Sequence, residues 1–193
     1  LLLGYSSGGS GTYELSAGNL SAMDEYIGLS GTGTFVQTGG TNTVSNGLRV
    51  GTNPDTSGTY ELSGTGTLSA AFENIGVYGT GTFKQTGGTN IVTDTLLLGY
   101  FSGGRGTYEL SGAGNLSAND EYIGDRGTGA FIQSGGTNTV TNGLRLGFYP
   151  GSNGTYELNG TGTLSAALEN IGVSGTVTFK QTGGTNIVTD TLL

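Results

Sequence analysis

Residues 1–22, LLLGYSSGGSGTYELSAGNLSA, and residues 25–45, EYIGLSGTGTFVQTGGTNTVS, follow one template. In each, an aliphatic residue precedes Gly, a Gly-Thr-aromatic step follows, and a small polar stretch ends in Leu or Val. The template has a period of about 24 residues, which lies in the range of solenoid repeats. It alternates between two versions, so that units begin at Leu1, Leu48, Leu96 and Leu144. The units cover 1–47, 48–95, 96–143 and 144–191, and Leu192-Leu193 begins a fifth at the phase of Leu1. Self-similarity at a fixed period of this size is the signature of a solenoid, whose units bury their apolar faces only against one another.

Three positions carry the template through all eight copies. The aromatic is Tyr13, Phe35, Tyr60, Phe83, Tyr108, Phe131, Tyr156 and Phe179. The aliphatic before Gly is Leu3, Ile27, Val50, Ile75, Leu98, Ile123, Leu146 and Ile171, and the third position is Leu20, Val44, Leu68, Val92, Leu116, Val140, Leu164 and Val188. Short Gly-bounded pieces rich in Thr, Val and Tyr are strands, and helical spacing is absent. The expected fold is all-β: a parallel β-helix (β-solenoid) of about eight coils, residues 1–193 forming a single segment. Each set forms a ladder with a step of about 4.8 Å, which gives a rod of about 38 Å. Three ladders predict three short strands per coil, around Leu3, Tyr13–Leu15 and Leu20, and a triangular or flattened cross-section.

Strand alternation in Thr12-Tyr13-Glu14-Leu15-Ser16 puts Tyr13 and Leu15 on one face, and the aromatic face is the inner one. The same reasoning sends Gln37, Gln85, Gln133 and Gln181 inside, where each amide must find hydrogen-bond partners. The outer column reads Glu14, Val36, Glu61, Lys84, Glu109, Ile132, Glu157, Lys180, a solvated face in which Lys84 separates two glutamates. A second acidic column, Glu25, Glu73, Glu121 and Glu169, recurs once per two coils. On a solenoid face its carboxylates stand roughly 9–10 Å apart, too far to share a metal.

Composition narrows the chemistry. Gly is 41 of 193 residues with 2 Pro and no every-third-residue register, which excludes a collagen helix. With no Cys and no His, disulfides, thiolate or imidazole metal sites and His- or Cys-based catalysis are all removed. Fourteen acidic against six basic side chains give −8, which disfavours nucleic acid and anionic membranes. No apolar run long enough to cross a bilayer as a helix occurs, so membrane insertion is not expected. Paired glutamates invite comparison with inverting glycosidases, but equivalent repeated carboxylates lack the asymmetry of an acid–base pair. QTGGTN lacks the Asp of calcium-binding nonapeptides, and GTGTF lacks the Lys-Ser/Thr of a phosphate loop. No catalytic residue, cofactor or metal site is therefore expected, and the chain reads as a non-enzyme.

The phrases GTGTFVQTGGTNTV, GTYELSGTGTLSA and LRVG resemble repeats of bacterial exported proteins of the autotransporter-passenger and PEP-CTERM-associated kind. The resemblance spans the whole chain and implies a right-handed β-helix, extracellular or on the cell surface, serving as a stalk, adhesin or fibre. The leading expectation is a structural filament that continues through flanking repeats or head-to-tail copies, meeting at Leu1, Leu2, Leu3, Leu192 and Leu193. The alternative is a glycan- or surface-binding adhesin, for which Tyr5, Tyr78, Tyr100, Phe148 and Tyr149 supply aromatics outside the core ladder. A lesser one is ice binding through Thr-x-Thr at Thr32/Thr34, Thr41/Thr43, Thr65/Thr67, Thr80/Thr82 and Thr137/Thr139.

Overall fold

The computed structural model describes residues 1–193 and contains strands and turns but no helix. One set of strands comprises β1 (Leu2–Leu3), β3 (Asn19–Ile27), β5 (Thr41–Val50), β7 (Thr67–Ile75), β9 (Thr89–Leu98), β11 (Asn115–Ile123), β13 (Thr137–Leu146), β15 (Thr163–Ile171) and β17 (Thr185–Leu192). The other comprises β2 (Ser10–Leu15), β4 (Thr32–Gln37), β6 (Ser57–Leu62), β8 (Thr80–Gln85), β10 (Arg105–Leu110), β12 (Thr128–Gln133), β14 (Asn153–Leu158) and β16 (Thr176–Gln181). Odd strands pair in order into a nine-stranded parallel sheet and even strands into an eight-stranded one. The chain is a β-solenoid of about eight turns. Coils are numbered below by the aliphatic ladder, Leu3 in coil 1 to Ile171 in coil 8.

The aromatic and aliphatic ladders run as expected. Tyr13 pairs with Phe35, Phe35 with Tyr60, and so on to Tyr156 with Phe179. Leu3 pairs with Ile27, and each later aliphatic residue pairs with the next up to Leu146 with Ile171. The six inner rings from Phe35 to Tyr156 are fully buried, with stacked neighbours 4.6–4.9 Å apart.

The third ladder is corrected. Leu20 pairs with Asn42, not Val44, and Val44 pairs with Ala22 and Ala70. The even sequence spacing of Leu20, Val44, Leu68, Val92, Leu116, Val140, Leu164 and Val188 hides a paired spacing that alternates between short (Leu20 to Asn42) and long (Asn42 to Leu68). There are therefore two ladders, Leu/Asn and Ala/Val. Alternating them matches a large side chain to a small one, as close packing of a narrow core requires.

The three-strand coil is also corrected to two. The Leu20 and Ile27 positions share one strand, because hydrogen bonding continues around a bulge between Ala22 and Asp24. There Ser45 and Asn46 of β5 oppose Met23 alone, and the extra residue bends the strand without ending its ladder. Met23 is exposed while Ala22 and Glu25 face inward, so the alternation slips and the sheet turns a corner.

Glycine sets how closely the strands approach at the opposite corner. Gly76, at φ +74°, follows the aliphatic ladder, and a Cβ on it would fall 2.1 Å from the Arg105 carbonyl oxygen. Gly106, the inward residue two before Tyr108, faces the same spot from the other side. A Cβ there would lie 2.0 Å from the Ile75 carbonyl oxygen and 2.6 Å from the Gly99 nitrogen. Only at coil 8 does another residue, Val177, take the inward glycine's place.

Candidate functional site

Two places concentrate polar or aromatic side chains: a hydrogen-bonded spine in the core and a groove on the outer surface.

The spine begins with the inward glutamines. Gln85 Nε2 donates to the carbonyls of Gly88 (3.3 Å) and Asn115 (3.0 Å), which fixes its amide orientation and leaves Oε1 as an acceptor. Tyr108 Oη donates to that Oε1 at 2.6 Å. Its remaining lone pair accepts from Asn90 Nδ2 at 3.2 Å, and the second hydrogen of Asn90 Nδ2 goes to Glu73 Oε2 at 3.1 Å. The direction of every bond thus follows from one glutamine clamped by backbone. The same four residues recur as Gln37–Tyr60–Asn42–Glu25 and Gln133–Tyr156–Asn138–Glu121. In coil 8 the bonds of Gln181 Nε2 to the Gly184 carbonyl (3.4 Å) and of Asn186 Nδ2 to Glu169 Oε2 (3.1 Å) remain.

The acidic column Glu25, Glu73, Glu121 and Glu169 therefore lies in the core, not on a solenoid face. Each Glu alternates with a leucine: Leu48 pairs with Glu25 and Glu73, and Leu144 pairs with Glu121 and Glu169. No cationic side chain enters this column. Glu Oε1 and Asn Oδ1 are left without partners in each unit, so acceptors outnumber donors. Burial pushes the carboxyls of Glu73 and Glu121 up to about 8, against the opposing hydrogen bonds from Asn90 and Asn138. Glu25 and Glu169 are raised for the same reason. The fully buried glutamates are thus held as neutral acids below about pH 8, and a proton adds the donor that each unit lacks. Removing one spine hydroxyl by Tyr108→Phe strands Gln85 Oε1 and an Asn90 N–H, an expected loss of about 2–4 kcal/mol in urea unfolding. Phe83→Tyr, which forces a hydroxyl into a fully buried ring stacked between Tyr60 and Tyr108, is expected to destabilise as well.

Sequence reasoning misses the asparagines of this spine. Their signal is the unvarying Gly-Gly-Thr-Asn at residues 39–42, 87–90, 135–138 and 183–186, which turn chemistry alone explains equally well.

The groove lies where the odd-strand sheet meets the corner loops. Two outward columns of that sheet repeat every four coils. One reads Leu2, Tyr26, Arg49, Asn74, Leu97, Tyr122, Arg145, Asn170; the other reads Asp24, Gly47, Phe72, Thr95, Asp120, Gly143, Leu168, Thr191. Arg49 folds across Gly47 to Asp24 (2.7 Å) and lies 5.1 Å from the Tyr26 ring; Arg145 repeats this with Asp120 and Tyr122. Gly47 leaves room for this path, since a Cβ there would stand 2.9 Å from Arg49 Nη1. The Arg49 guanidinium holds the Asp24 carboxyl below its usual range.

Between these two clusters is a groove of about 460 Å³. Of the five aromatics expected outside the core, Tyr100, Phe148 and Tyr149 line it, while Tyr5 and Tyr78 do not. Phe148 meets Tyr122 and Tyr149 edge-on at 5.0 and 4.9 Å, and Arg126 lies 4.0 Å over Tyr149 while paired with Asp125 at 3.0 Å. Sequence reasoning does not single out Tyr122, Arg126 or Asp125 as binding residues. Such a site offers ring faces for stacking and oriented polar groups for hydrogen bonding.

The remaining sequence candidates are dispersed. Leu3 is buried, whereas Leu2, Leu192 and Leu193 are exposed at the two ends of the stack. Thr32/Thr34 and Thr80/Thr82 lie on the even-strand sheet and Thr41/Thr43 and Thr137/Thr139 on the odd one, so the pairs do not form one array. The outer Glu14-to-Lys180 column is exposed or half-exposed throughout, and Lys84 does pair in register between Glu61 and Glu109. No group of three or more Asp or Glu is placed to hold a metal ion.

The class of molecule these features define is a parallel β-solenoid with a repeating polar spine. Comparison with protein-family models, curated proteins and solved structures finds no match.

Proposed function

We propose that the chain is a structural rod, part of an extracellular or cell-surface stalk or fibre in a bacterium, lengthened by further coils of a longer chain or by copies stacked end to end. The spine carries this reading. Along the interior, Gln85 and Asn90 of one coil bind the Tyr108 hydroxyl of the next, and the same link recurs at Tyr60 and Tyr156, so the hydrogen bonding runs from coil to coil along the axis. Stacking of this kind has no built-in length, and an unpaired strand edge templates further pairing. Interior coils add support, since every ladder position is filled.

Electron microscopy at rising protein concentration tests the proposal. Rods that lengthen in steps of about 38 Å are expected. Single particles one step long at every concentration would overturn it.

A further inference from the structure

We propose that the groove spanning coils 3 to 7 is a binding site for a neutral polysaccharide chain. The first argument is where the repeat breaks. Residues 1–95 and 96–191 are two versions of one four-coil block with the same core positions, yet their corner residues differ. The first block has Tyr5-Ser6, Leu29-Ser30 and Thr52-Asn53 after its ladder glycines. The second has Tyr100-Phe101, Asp125-Arg126 and Phe148-Tyr149. A scaffold that needs only its core has no use for three aromatic or charged corners in a row, and they fall together on the groove.

The second argument is chemical fit. Tyr122, Phe148 and Tyr149 brace one another at right angles (89° for each pair), so their positions are set before a ligand arrives. Rigid rings bind at low entropic cost and suit the apolar C–H faces of pyranoses. Asn74 lines the same groove and is 8% exposed; its Oδ1 is enclosed, while its Nδ2 donates to no group within the protein. A sugar oxygen is an acceptor of the right kind for that N–H, and the Arg126 guanidinium supplies further donors.

The third argument, charge, selects a neutral glycan. Arg49 and Arg126 are each neutralised by an aspartate, so the groove has no net cation to attract an acid, while the chain as a whole carries −8. The groove runs along the coil axis for about four strand-to-strand steps, roughly 19 Å in all, which favours an extended chain over a single sugar.

The test is a glycan array spanning neutral and acidic plant, fungal and bacterial polysaccharides, followed by titration calorimetry with the best-bound oligosaccharide. Neutral glycans are expected to bind. Tyr149→Ala and Asn74→Ala are each expected to weaken binding at least tenfold, whereas Tyr5→Ala, an exposed tyrosine off the groove, leaves it unchanged. No binding to any neutral glycan, preference for acidic glycans, or full affinity in Tyr149→Ala would overturn the proposal. Rod formation and glycan binding are read separately, so failure of either leaves the other standing.

Discussion

Unfolding in urea at pH 4.5, 6 and 8 is expected to show stability falling steadily with pH, by several kcal/mol for each fully buried glutamate. Glu73 and Glu121 bind their protons up to about pH 8 when folded. In the unfolded chain they release them at the ordinary carboxyl value near 4.5. Between those limits the unfolded state is the one that loses protons, so each step up in pH favours unfolding. The folded state keeps its full advantage below about 4.5 and has lost it once pH passes about 8. At about 1.4 kcal/mol per pKa unit, a shift of 8 minus 4.5 corresponds to roughly 5 kcal/mol per site. That is large against the roughly 5–15 kcal/mol typical of whole domains. The double variant Glu73→Gln/Glu121→Gln keeps an acceptor for Asn90 and Asn138 and cannot ionise, so its profile should be much flatter and its stability at pH 8 higher than that of the parent. A parent profile that is flat, or that rises toward pH 8, would contradict a neutral spine.

Gly106→Ala is expected to be among the most damaging single methyls in the molecule. Its Cβ would meet backbone atoms of two neighbouring segments, at 2.0 Å from Ile75 O and 2.6 Å from Gly99 N, and no side chain can rotate to relieve either contact. Parting the coils there breaks pairing on both sides of β10, so a loss of about 3–5 kcal/mol is expected. Gly18→Ala is the control: it has a positive φ of 80° but nothing within 4 Å of a Cβ, and only the conformational penalty of about 1–2 kcal/mol applies. Similar urea midpoints for the two variants would show that close packing of the glycine corner does not limit this fold.

The repeat makes the solenoid legible because one period satisfies all coils at once. The aromatic and aliphatic ladders follow directly, since each sits beside a glycine that marks its phase. The Leu20 set misleads because equal spacing in sequence is not equal height in the stack. Turns of alternating length move Asn42 into register with Leu20, and only pairing reveals that. The glutamates mislead for a different reason. A charged residue in a polar repeat is ordinarily solvated. The partners that make Glu73 tolerable are distant in sequence: Asn90 lies 17 residues further along the chain and Tyr108 another 18 beyond it. Strand alternation places the glutamines inward with an open demand for partners, and the neighbouring coil's tyrosine meets it. Three groove aromatics are visible as residues outside the core ladder, but their convergence with Tyr122 and Asn74 depends on which corners stack, which spacing alone does not encode.

X-ray diffraction from oriented rods tests the central claim most directly. Uninterrupted parallel stacking predicts a strong axial reflection at about 4.8 Å. The alternation of Glu with Leu, and of Tyr with Phe, adds a layer line at twice that spacing, and the four-coil recurrence of Asp24-Tyr26-Arg49 as Asp120-Tyr122-Arg145 adds one at four times it. All three spacings together are the predicted result. The strand reflection without the longer repeats, or preparations that never yield rods to orient, would contradict it.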